Sequence, residues 1–397
     1  MKAVVFDKTR ELAVRDVPDA ELRCETDALL RITSSAICGT DLHIYEGRMG
    51  EPTGMVIGHE PLGVVEEVGP AVRSIKPGDR VTVPTHICCG FCASCVSGRS
   101  AECLMTNPGQ AGAAYGYPGM GDYRGAQTEL LTVPFADANC LRLPGEPGDD
   151  WEDDFVLLAD AFPSGYHATE LAGVSTGDSV AIFGAGAIGL LAAYSAQLRG
   201  AADIYVVDNI RERLEKAAEM GVHAIDFSAG EPVEQILEHR RRLRDRRAYR
   251  YEEPLLGVTC AIDAIGFQAR DREHPGVEHP EWVTEALADL VHPGGRLGII
   301  GVFVDHDPAA EGELRQQGHL PVPWGKLFKK GVTIGMGRDQ DERYNGRLRD
   351  MVITGRARPS TIVSHHIGLD DAPAAYRHFD ARADGYLKVI LHPDHGL

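Results

Sequence analysis

The sequence has little positive charge, no long hydrophobic run and no internal repeat. Its 40 Lys and Arg residues are outnumbered by 59 Asp and Glu residues, which gives a formal net charge of −19. A surface of this sign argues against nucleic acid or an anionic membrane as a partner, because both attract positively charged proteins. No apolar stretch approaches the ~20 residues that span a bilayer, so no membrane insertion is expected.

The first residues also lack the apolar segment and cleavage site of a signal peptide, so a cytoplasmic protein is expected. In a reducing compartment the nine cysteines are better explained as metal ligands or buried thiols than as disulfides. A basic run at residues 239–247 leaves a nucleic-acid interpretation open. A solvated helix end or loop fits better in so acidic a chain.

A chain of 397 residues is expected to form two or three domains. Residues 1–164 contain short alternating runs and many turns, which indicate a β-rich domain. Residues 165–302 alternate buried strands with helices, which predicts a doubly wound parallel sheet of the Rossmann type. Residues 303–397 are mixed and end in a predicted strand, 386–391, which we expect to return to the first domain. The predicted fold class is therefore α/β.

The run Gly184-Ala-Gly-Ala-Ile-Gly189 follows a predicted strand and opens a predicted helix. Gly184 permits a tight turn, Gly186 permits close approach to a pyrophosphate, and Gly189 permits close packing of helix on strand. Ala187 and Ile188 lie at the start of this helix, predicted over 188–199, whose free N–H groups attract phosphate. Such a glycine pattern also arises by chance, so it needs support from its surroundings.

Asp208 gives that support, because it ends the next predicted strand about 20 residues further on. A carboxylate there binds a ribose 2′-hydroxyl and repels a 2′-phosphate, which predicts NAD and not NADP as the coenzyme. Arg213 lies near the predicted adenosine end and could weaken that preference. Asp208 could also serve as a helix N-cap before Ile210, with or without the coenzyme role.

Five of the nine cysteines fall between Cys88 and Cys103. Four thiolates from one loop can complete a tetrahedral shell, which predicts a structural zinc site in the lobe 88–103, and a closed shell of this kind stabilises but does not catalyse. The alternative is a group of free or buried thiols. Cys88 is given no role, since adjacent ligands are awkward. The predicted ligands are Cys89, Cys92, Cys95 and Cys103.

Cys38 and His59 are candidates for a second, catalytic zinc site, which needs about three protein ligands and one exchangeable position. A lone cysteine and a lone histidine are more often core residues. Their occurrence beside a four-cysteine lobe and a dinucleotide motif favours the ligand interpretation.

Several longer runs are distinctive: 107–117 (Asn-Pro-Gly-Gln-Ala-Gly-Ala-Ala-Tyr-Gly-Tyr), 120–122, 133–137, 160–167 and 263–270. With the motifs above, the chain resembles the zinc-containing medium-chain alcohol dehydrogenases over essentially its whole length. Within that family it is most similar to glutathione-independent formaldehyde dehydrogenases and formaldehyde dismutases. The resemblance implies a GroES-like catalytic domain, a coenzyme domain, zinc and NAD as cofactors, and a homodimer or homotetramer.

The resemblance also implies roles for individual residues. Asp160 matches the third ligand of the catalytic zinc, Thr40 the group that hydrogen-bonds the substrate oxygen, and His43 the end of a proton relay. Asp41 and Glu60 match positions behind the ligands, with Asp41 orienting His59. Simpler alternatives remain at three positions: Thr40 could cap a helix, His43 could be a surface histidine, and Asp160 could be an N-cap.

The predicted function is zinc-dependent hydride transfer between NAD and a small aldehyde hydrate, formaldehyde above all, or a short alcohol. Two alternatives remain: a dehydrogenase of alcohols, polyols or hydroxy acids such as threonine, and a non-catalytic NAD(H)-binding sensor. Residues 271–282 form an insertion of the kind that helps wrap the coenzyme in the formaldehyde subgroup, whereas segment 303–325 looks shortened. Whether the enzyme retains NAD and dismutates aldehyde is therefore left open.

Overall fold

The structure is a computed structural model that describes residues 1–246 and 256–393. The chain divides into two compact units. The first comprises Met1–Pro163 and Gln340–Leu397, and the second comprises Ser164–Asp339. The boundary falls within one helix, α5 (Ala161–Leu171). Strands and helices are numbered along the whole chain.

A seven-stranded sheet and a two-stranded ribbon form the first unit. Its strands are β1 (Lys2–Lys8), β2 (Glu11–Asp16), β3 (Ala28–Ile37), β4 (Pro61–Val68), β5 (Arg80–Thr82), β6 (Leu130–Val133), β7 (Leu141–Leu143), β14 (His365–Gly368) and β15 (Val389–His392). Its helices are α1 (Gly39–Tyr45), α2 (Ala93–Val96), α3 (Ala136–Asn139), α4 (Glu152–Val156), α12 (Asp341–Ile353) and α13 (Ala372–Asp380). The sheet order is β14-β15-β3-β4-β5-β7, with β6 also paired to β3.

Strand β3 is the centre of that sheet, since it pairs with β4, β6 and β15. Leu30 and Ile32 are fully buried, whereas Leu29 and Arg31 on the other face are partly exposed, as expected for an antiparallel strand with one face on the core. The antiparallel pairing of Val389 with Ile37 joins the end of the chain to the start of the catalytic segment. This pairing brings distant parts of the sequence to the carboxyl end of β3, where α1 begins.

The second unit is built on a six-stranded sheet whose neighbouring strands are all parallel. Its strands are β8 (Ser179–Phe183), β9 (Asp203–Asp208), β10 (His223–Asp226), β11 (Val258–Asp263), β12 (Val291–Ile299) and β13 (Thr333–Met336). Its helices, apart from α5, are α6 (Ala187–Leu198), α7 (Arg211–Glu219), α8 (Pro232–Arg246), α9 (Pro280–Leu290), α10 (Glu313–Gln316) and α11 (Trp324–Lys330). The order β10-β9-β8-β11-β12-β13 is that of a dinucleotide-binding Rossmann fold.

The second boundary differs from the one expected at 302/303, and the first lies one residue earlier than expected. Strand β13 pairs with β12, so residues 303–339 belong to the coenzyme unit and only 340–397 return to the first unit. The physical reason is that β13 has four residues, Thr-Ile-Gly-Met, and a further glycine follows it. Glycine weakens the sequence pattern by which a strand is recognised.

The basic run at 239–247 begins in the last turns of α8. Arg241 and Arg242 pair with Glu238, and Arg240 pairs with Asp203, so this part of the run is a charge-paired helix end. Residue 247 lies outside the described residues. Among the described helices, none is long and apolar enough to cross a membrane.

Candidate active site and metal centres

The first centre is built at the junction of β3 and α1. Cys38 occupies the N-cap position of α1, and its backbone N–H donates to the Asp41 carboxylate at 3.0 Å. Since Cys38 is the cap, Thr40 does not cap this helix. The start of α1 therefore holds Cys38, Thr40 and Asp41 within a single turn. The Cys-Gly-Thr-Asp spacing is what brings these three side chains to the same centre.

Cys38, His59, Glu60 and Asp160 converge, each buried, with one potential ligand atom from each lying within 4.8 Å of the others. The Cys38 Sγ lies 3.3 Å from the Asp160 Oδ2, and the His59 Nε2 lies 3.5 Å from the same oxygen. A zinc ion with bonds of about 2.3 Å to sulfur and about 2.0 Å to nitrogen and oxygen would hold such atoms about 3.3–3.5 Å apart in a tetrahedron. Donor types and separations fit zinc.

The pKa values of Cys38 and His59 are both raised, as expected where buried negative charge favours a cation. Burial and then the Asp160 carboxylate raise the pKa of Cys38 to about 11. Burial acts to lower the pKa of His59, but Asp41 and the other neighbours outweigh it and raise that pKa well above its usual value. Zinc needs a thiolate and a neutral imidazole, so metal binding here would release protons.

Two acidic residues stand behind the ligands. The His59 Nδ1 lies 3.1 Å from the Asp41 Oδ1, while its Nε2 lies 3.5 Å from the Asp160 Oδ2. Lys388, fully buried on the stretch leading into β15, donates to both carboxylate oxygens of Glu60, at 2.5 and 2.7 Å. The lysine therefore neutralises Glu60 and occupies both of its oxygens.

Thr40 is suitably placed for contact with a substrate oxygen, since its Oγ1 lies 3.3 Å from the His59 Nε2. His43 lies on α1 and is buried, so the surface-histidine alternative does not apply. The Tyr117 ring lies 5.3 Å from the His59 ring, and its hydroxyl interacts with the Thr40 side chain. Tyr117 thus adds an aromatic wall to the centre.

The second centre lies in the lobe 88–103, where Cys89, Cys92, Cys95 and Cys103 meet. Sulfur–sulfur distances are 3.4 Å for Cys92–Cys95 and 3.9 Å for both Cys89–Cys95 and Cys92–Cys103. A tetrahedral zinc with about 2.3 Å bonds separates its sulfurs by about 3.8 Å, so these four fit a closed structural site.

Backbone N–H groups point at the sulfurs of this lobe. Burial acts to raise the pKa of Cys92, but the N–H of Leu104, other backbone N–H groups and neighbouring thiols outweigh it and lower the pKa to about 6. Such donors also outweigh burial and lower the pKa of Cys103, whereas burial raises the pKa of Cys89 and Cys95, so zinc binding here would release protons from those two thiols. Cys88 lies outside the group: its N–H donates to the Asn139 Oδ1 at 3.0 Å, and burial raises the pKa of its thiol.

The glycine run lies at the carboxyl end of β8, where a coenzyme site is expected in this fold. Gly184 has a φ of +102°, which a side chain would strain. A Cβ on Gly189 would lie 1.9 Å from the Gly184 carbonyl oxygen, so only glycine allows α6 to pack here. Gly186 is the N-cap of α6, with Ala187 and Ile188 following as its first residues.

Asp208 ends β9 beside that run, and its Oδ2 accepts the N–H of Ala185 at 2.7 Å. Its Oδ1 accepts the N–H groups of Asn209 and Ile210, although the N-cap of α7 is Ile210 itself. Arg213 lies 3.9 Å from the Asp208 carboxylate. The structure therefore brings the glycine run, Asp208 and Arg213 together.

Comparison with known proteins places this geometry in a family. Residues 24–145 match the family described as Alcohol dehydrogenase GroES-like domain. The glutathione-independent formaldehyde dehydrogenase of Bacillus subtilis is 38% identical, over 100% of this chain and 97% of that protein. The chain belongs to the zinc-dependent medium-chain alcohol dehydrogenase family.

Two further relatives support the same family assignment. The formaldehyde dismutase of Pseudomonas putida is 34% identical, over 100% of this chain and 98% of that protein. The solved alcohol dehydrogenase TADH from Thermus sp. ATN1 is 33% identical, with a TM-score of 0.80 and 99% of each chain covered. The protein is thus a zinc-dependent alcohol or aldehyde oxidoreductase, and its predicted fold is confirmed.

In this alcohol dehydrogenase family member, some residues of the site were not predicted from the sequence. Tyr117 stood within a distinctive run but carried no role there. Gln127, whose Nε2 lies 3.3 Å from Asp41 and 2.8 Å from the Tyr376 hydroxyl, and Lys388 had no local signal. Only the sheet pairing of β15 with β3 brings Lys388 to Glu60.

Replacement of Cys103 by serine is expected to remove the structural zinc, lowering metal content from about two zinc ions per chain to about one, and to lower the melting temperature. Plasma emission spectrometry gives the metal content. Cys88→Ser is the matched control and keeps both ions. Unchanged zinc in the Cys103 variant would contradict the assignment.

Replacement of Lys388 by alanine leaves Glu60 buried without its cation, so the free energy of unfolding is expected to fall by about 3–5 kcal/mol. Urea denaturation at fixed zinc concentration measures it. The double variant Lys388→Met with Glu60→Gln removes both charges and should recover most of the loss. A single variant as stable as the parent would show that the pair is dispensable.

Proposed function

We propose that the protein oxidises formaldehyde, as its hydrate, with NAD as hydride acceptor and formate as product. The observation that carries the proposal is the buried convergence of Cys38, His59 and Asp160. Its surroundings add weight, because Tyr117 belongs to the run 107–117 that carries the formaldehyde-dehydrogenase resemblance, and this side chain interacts with Thr40. The two curated relatives named above act on formaldehyde by name.

The chain's own residues have distinct tasks in this proposal. Cys38, His59 and Asp160 would hold a zinc ion, which when bound polarises the substrate oxygen as a Lewis acid. The Thr40 hydroxyl accepts the proton released from the substrate, and His43 passes it toward solvent. Asp41 keeps the His59 ring oriented. Oxidation of the gem-diol to formic acid then releases a hydride to NAD and one proton to water.

NAD is the proposed coenzyme because of the charge at the end of β9. Asp208 already accepts three backbone N–H groups, which hold its carboxylate beside the glycine run. A ribose 2′-hydroxyl can donate to this carboxylate, whereas a 2′-phosphate is repelled by it. Arg213, 3.9 Å away, is partly neutralised by Asp208 and so favours a phosphate less.

Dismutation is the second candidate, and one contact favours it. Arg315, in segment 303–325, forms a two-point ion pair with Glu281 in the insertion 271–282, with N–O distances of 3.1 and 2.8 Å. It also donates to the Glu278 carbonyl at 3.0 Å. Segment 303–325 is thus joined to the insertion 271–282, which supports a role for both in retaining the coenzyme.

We also propose a cytoplasmic location and a homo-oligomeric assembly. All nine cysteines are free thiols, which suits the reducing cytoplasm. A homodimer or homotetramer follows from the family resemblance.

The activity is tested by incubating the purified protein with carbon-13 formaldehyde, first without and then with added NAD, and following formate and methanol by NMR. Formate appearing only with NAD is the expected result. Equal formate and methanol without NAD would establish the dismutase instead. Asp160→Ala should lose activity by at least about 100-fold, since a ligand is gone.

No conversion in either arm, with zinc shown to be present, would contradict formaldehyde as substrate. A panel of short alcohols, polyols and threonine would then identify the substrate.

Coenzyme choice is tested with Asp208→Ala, which is expected to reduce kcat/KM for NAD by about 10–100-fold, as for the loss of charged hydrogen bonds worth about 1.5–3 kcal/mol. The NAD-to-NADP ratio of kcat/KM should fall toward one, because repulsion of the 2′-phosphate is lost. Asp226→Asn, at the end of the next strand, is the control. An unchanged NAD-to-NADP ratio would show that Asp208 does not select the coenzyme.

A further inference from the structure

Two histidines of the first unit stand side by side on neighbouring strands. Strands β14 and β15 are parallel, with His366 aligned to Ile390 and Gly368 aligned to His392. His392 is therefore two residues beyond the partner of His366 and lies on the same face of the sheet. The His366 Nδ1 lies 3.2 Å from the His392 Nε2. None of the residues assigned above to zinc or coenzyme is part of this pair.

In the His392 ring the hydrogen is on Nδ1, the nitrogen that faces away from His366. Its Nδ1 lies 3.3 Å from the Thr33 carbonyl oxygen and 3.2 Å from the Ser34 Oγ. A carbonyl can only accept, and the Ser34 hydroxyl donates its own hydrogen to Glu152 at 2.6 Å. Both neighbours of Nδ1 are therefore acceptors, so Nδ1 is the donor and the Nε2 of neutral His392 offers a lone pair.

In the His366 ring the hydrogen is on Nε2, the nitrogen that faces away from His392. Its Nε2 lies 3.3 Å from the Asp153 Oδ2, and a carboxylate accepts. A neutral imidazole has one N–H, so the Nδ1 of His366 also offers a lone pair. Two lone pairs thus face each other across 3.2 Å, an arrangement that is favourable only with a cation between them.

We propose that His366 and His392 bind a divalent transition-metal ion through these two facing nitrogens, with water completing the shell. Two nitrogens bonded to one tetrahedral zinc at about 2.0–2.1 Å lie about 3.3–3.4 Å apart, close to the observed separation. Each ring is backed by an acceptor on its other nitrogen, as metal-bound imidazoles are. The His366 side chain is 47% exposed, which gives an ion and its water access.

Imidazole ligands suit Ni²⁺, Zn²⁺ and Cu²⁺. The inference does not depend on the reaction proposed above, because its ligands belong to different strands from Cys38, His59 and the cysteine lobe. An ion bound here would link the edge strand β14 to β15, which itself pairs with the central strand β3. The site is therefore a stabilising one.

The test is calorimetric titration with Ni²⁺ of tag-free protein that holds two zinc ions per chain, one at each centre described above. We expect saturable binding of one ion per chain, weakened at least about 10-fold by His366→Ala and by His392→Ala. Asp153→Asn should weaken it by about 10–100-fold, as removal of such supporting groups does. His378→Ala is the matched control, since His378 pairs with Asp384 elsewhere on the same unit and should leave binding unchanged.

A thermal readout guards against misfolded variants. Ni²⁺ should raise the melting temperature of the parent protein and not that of His366→Ala, while the two melt alike without Ni²⁺ because His366 is exposed. Binding that survives both histidine substitutions, or that falls equally in the control, would overturn the proposal. So would absence of binding, which would mean that the rings share only a proton.

Discussion

Buried negative charge is the constraint on which the first unit depends. Asp41, Glu60 and Asp160 are all buried around His59, together with the Cys38 sulfur. Taking several anions out of water is unfavourable unless each has a positive partner close by. Lys388 neutralises one of them, Glu60. The remaining charge is what a zinc ion at Cys38, His59 and Asp160 would balance, so the metal and the fold of this unit support each other.

The same constraint explains why the ends of the chain meet. Lys388 also donates to the Ile37 carbonyl at 3.2 Å, just before Cys38. The pairing of β15 with β3 therefore has two effects. It fixes the backbone at Ile37, next to Cys38, and it brings the Lys388 ammonium to Glu60, next to His59. Loss of this last strand would remove both of these contacts.

What could be predicted from the sequence follows from how local each signal is. The cysteine lobe and the glycine run lie within 16 and 6 residues, and their chemistry requires fixed spacing, so both were recognisable. Cys38 and His59 became candidates through the neighbouring motifs, whereas Asp160, 122 residues from Cys38, was predicted only from the family resemblance. Lys388, Gln127 and the histidine pair had no such signal, because their partners come from distant parts of the chain. The boundary at 302 failed since β13 is short and contains glycine.

The most direct test of this account is anomalous diffraction at the zinc absorption edge from crystals of the purified protein. The account predicts zinc peaks at both centres described above, one of them at the centre of Cys89, Cys92, Cys95 and Cys103. The other should lie within about 2.0–2.3 Å of the donor atoms of Cys38, His59 and Asp160. A protein loaded with zinc that shows a peak only at the four cysteines would contradict the proposed catalytic centre.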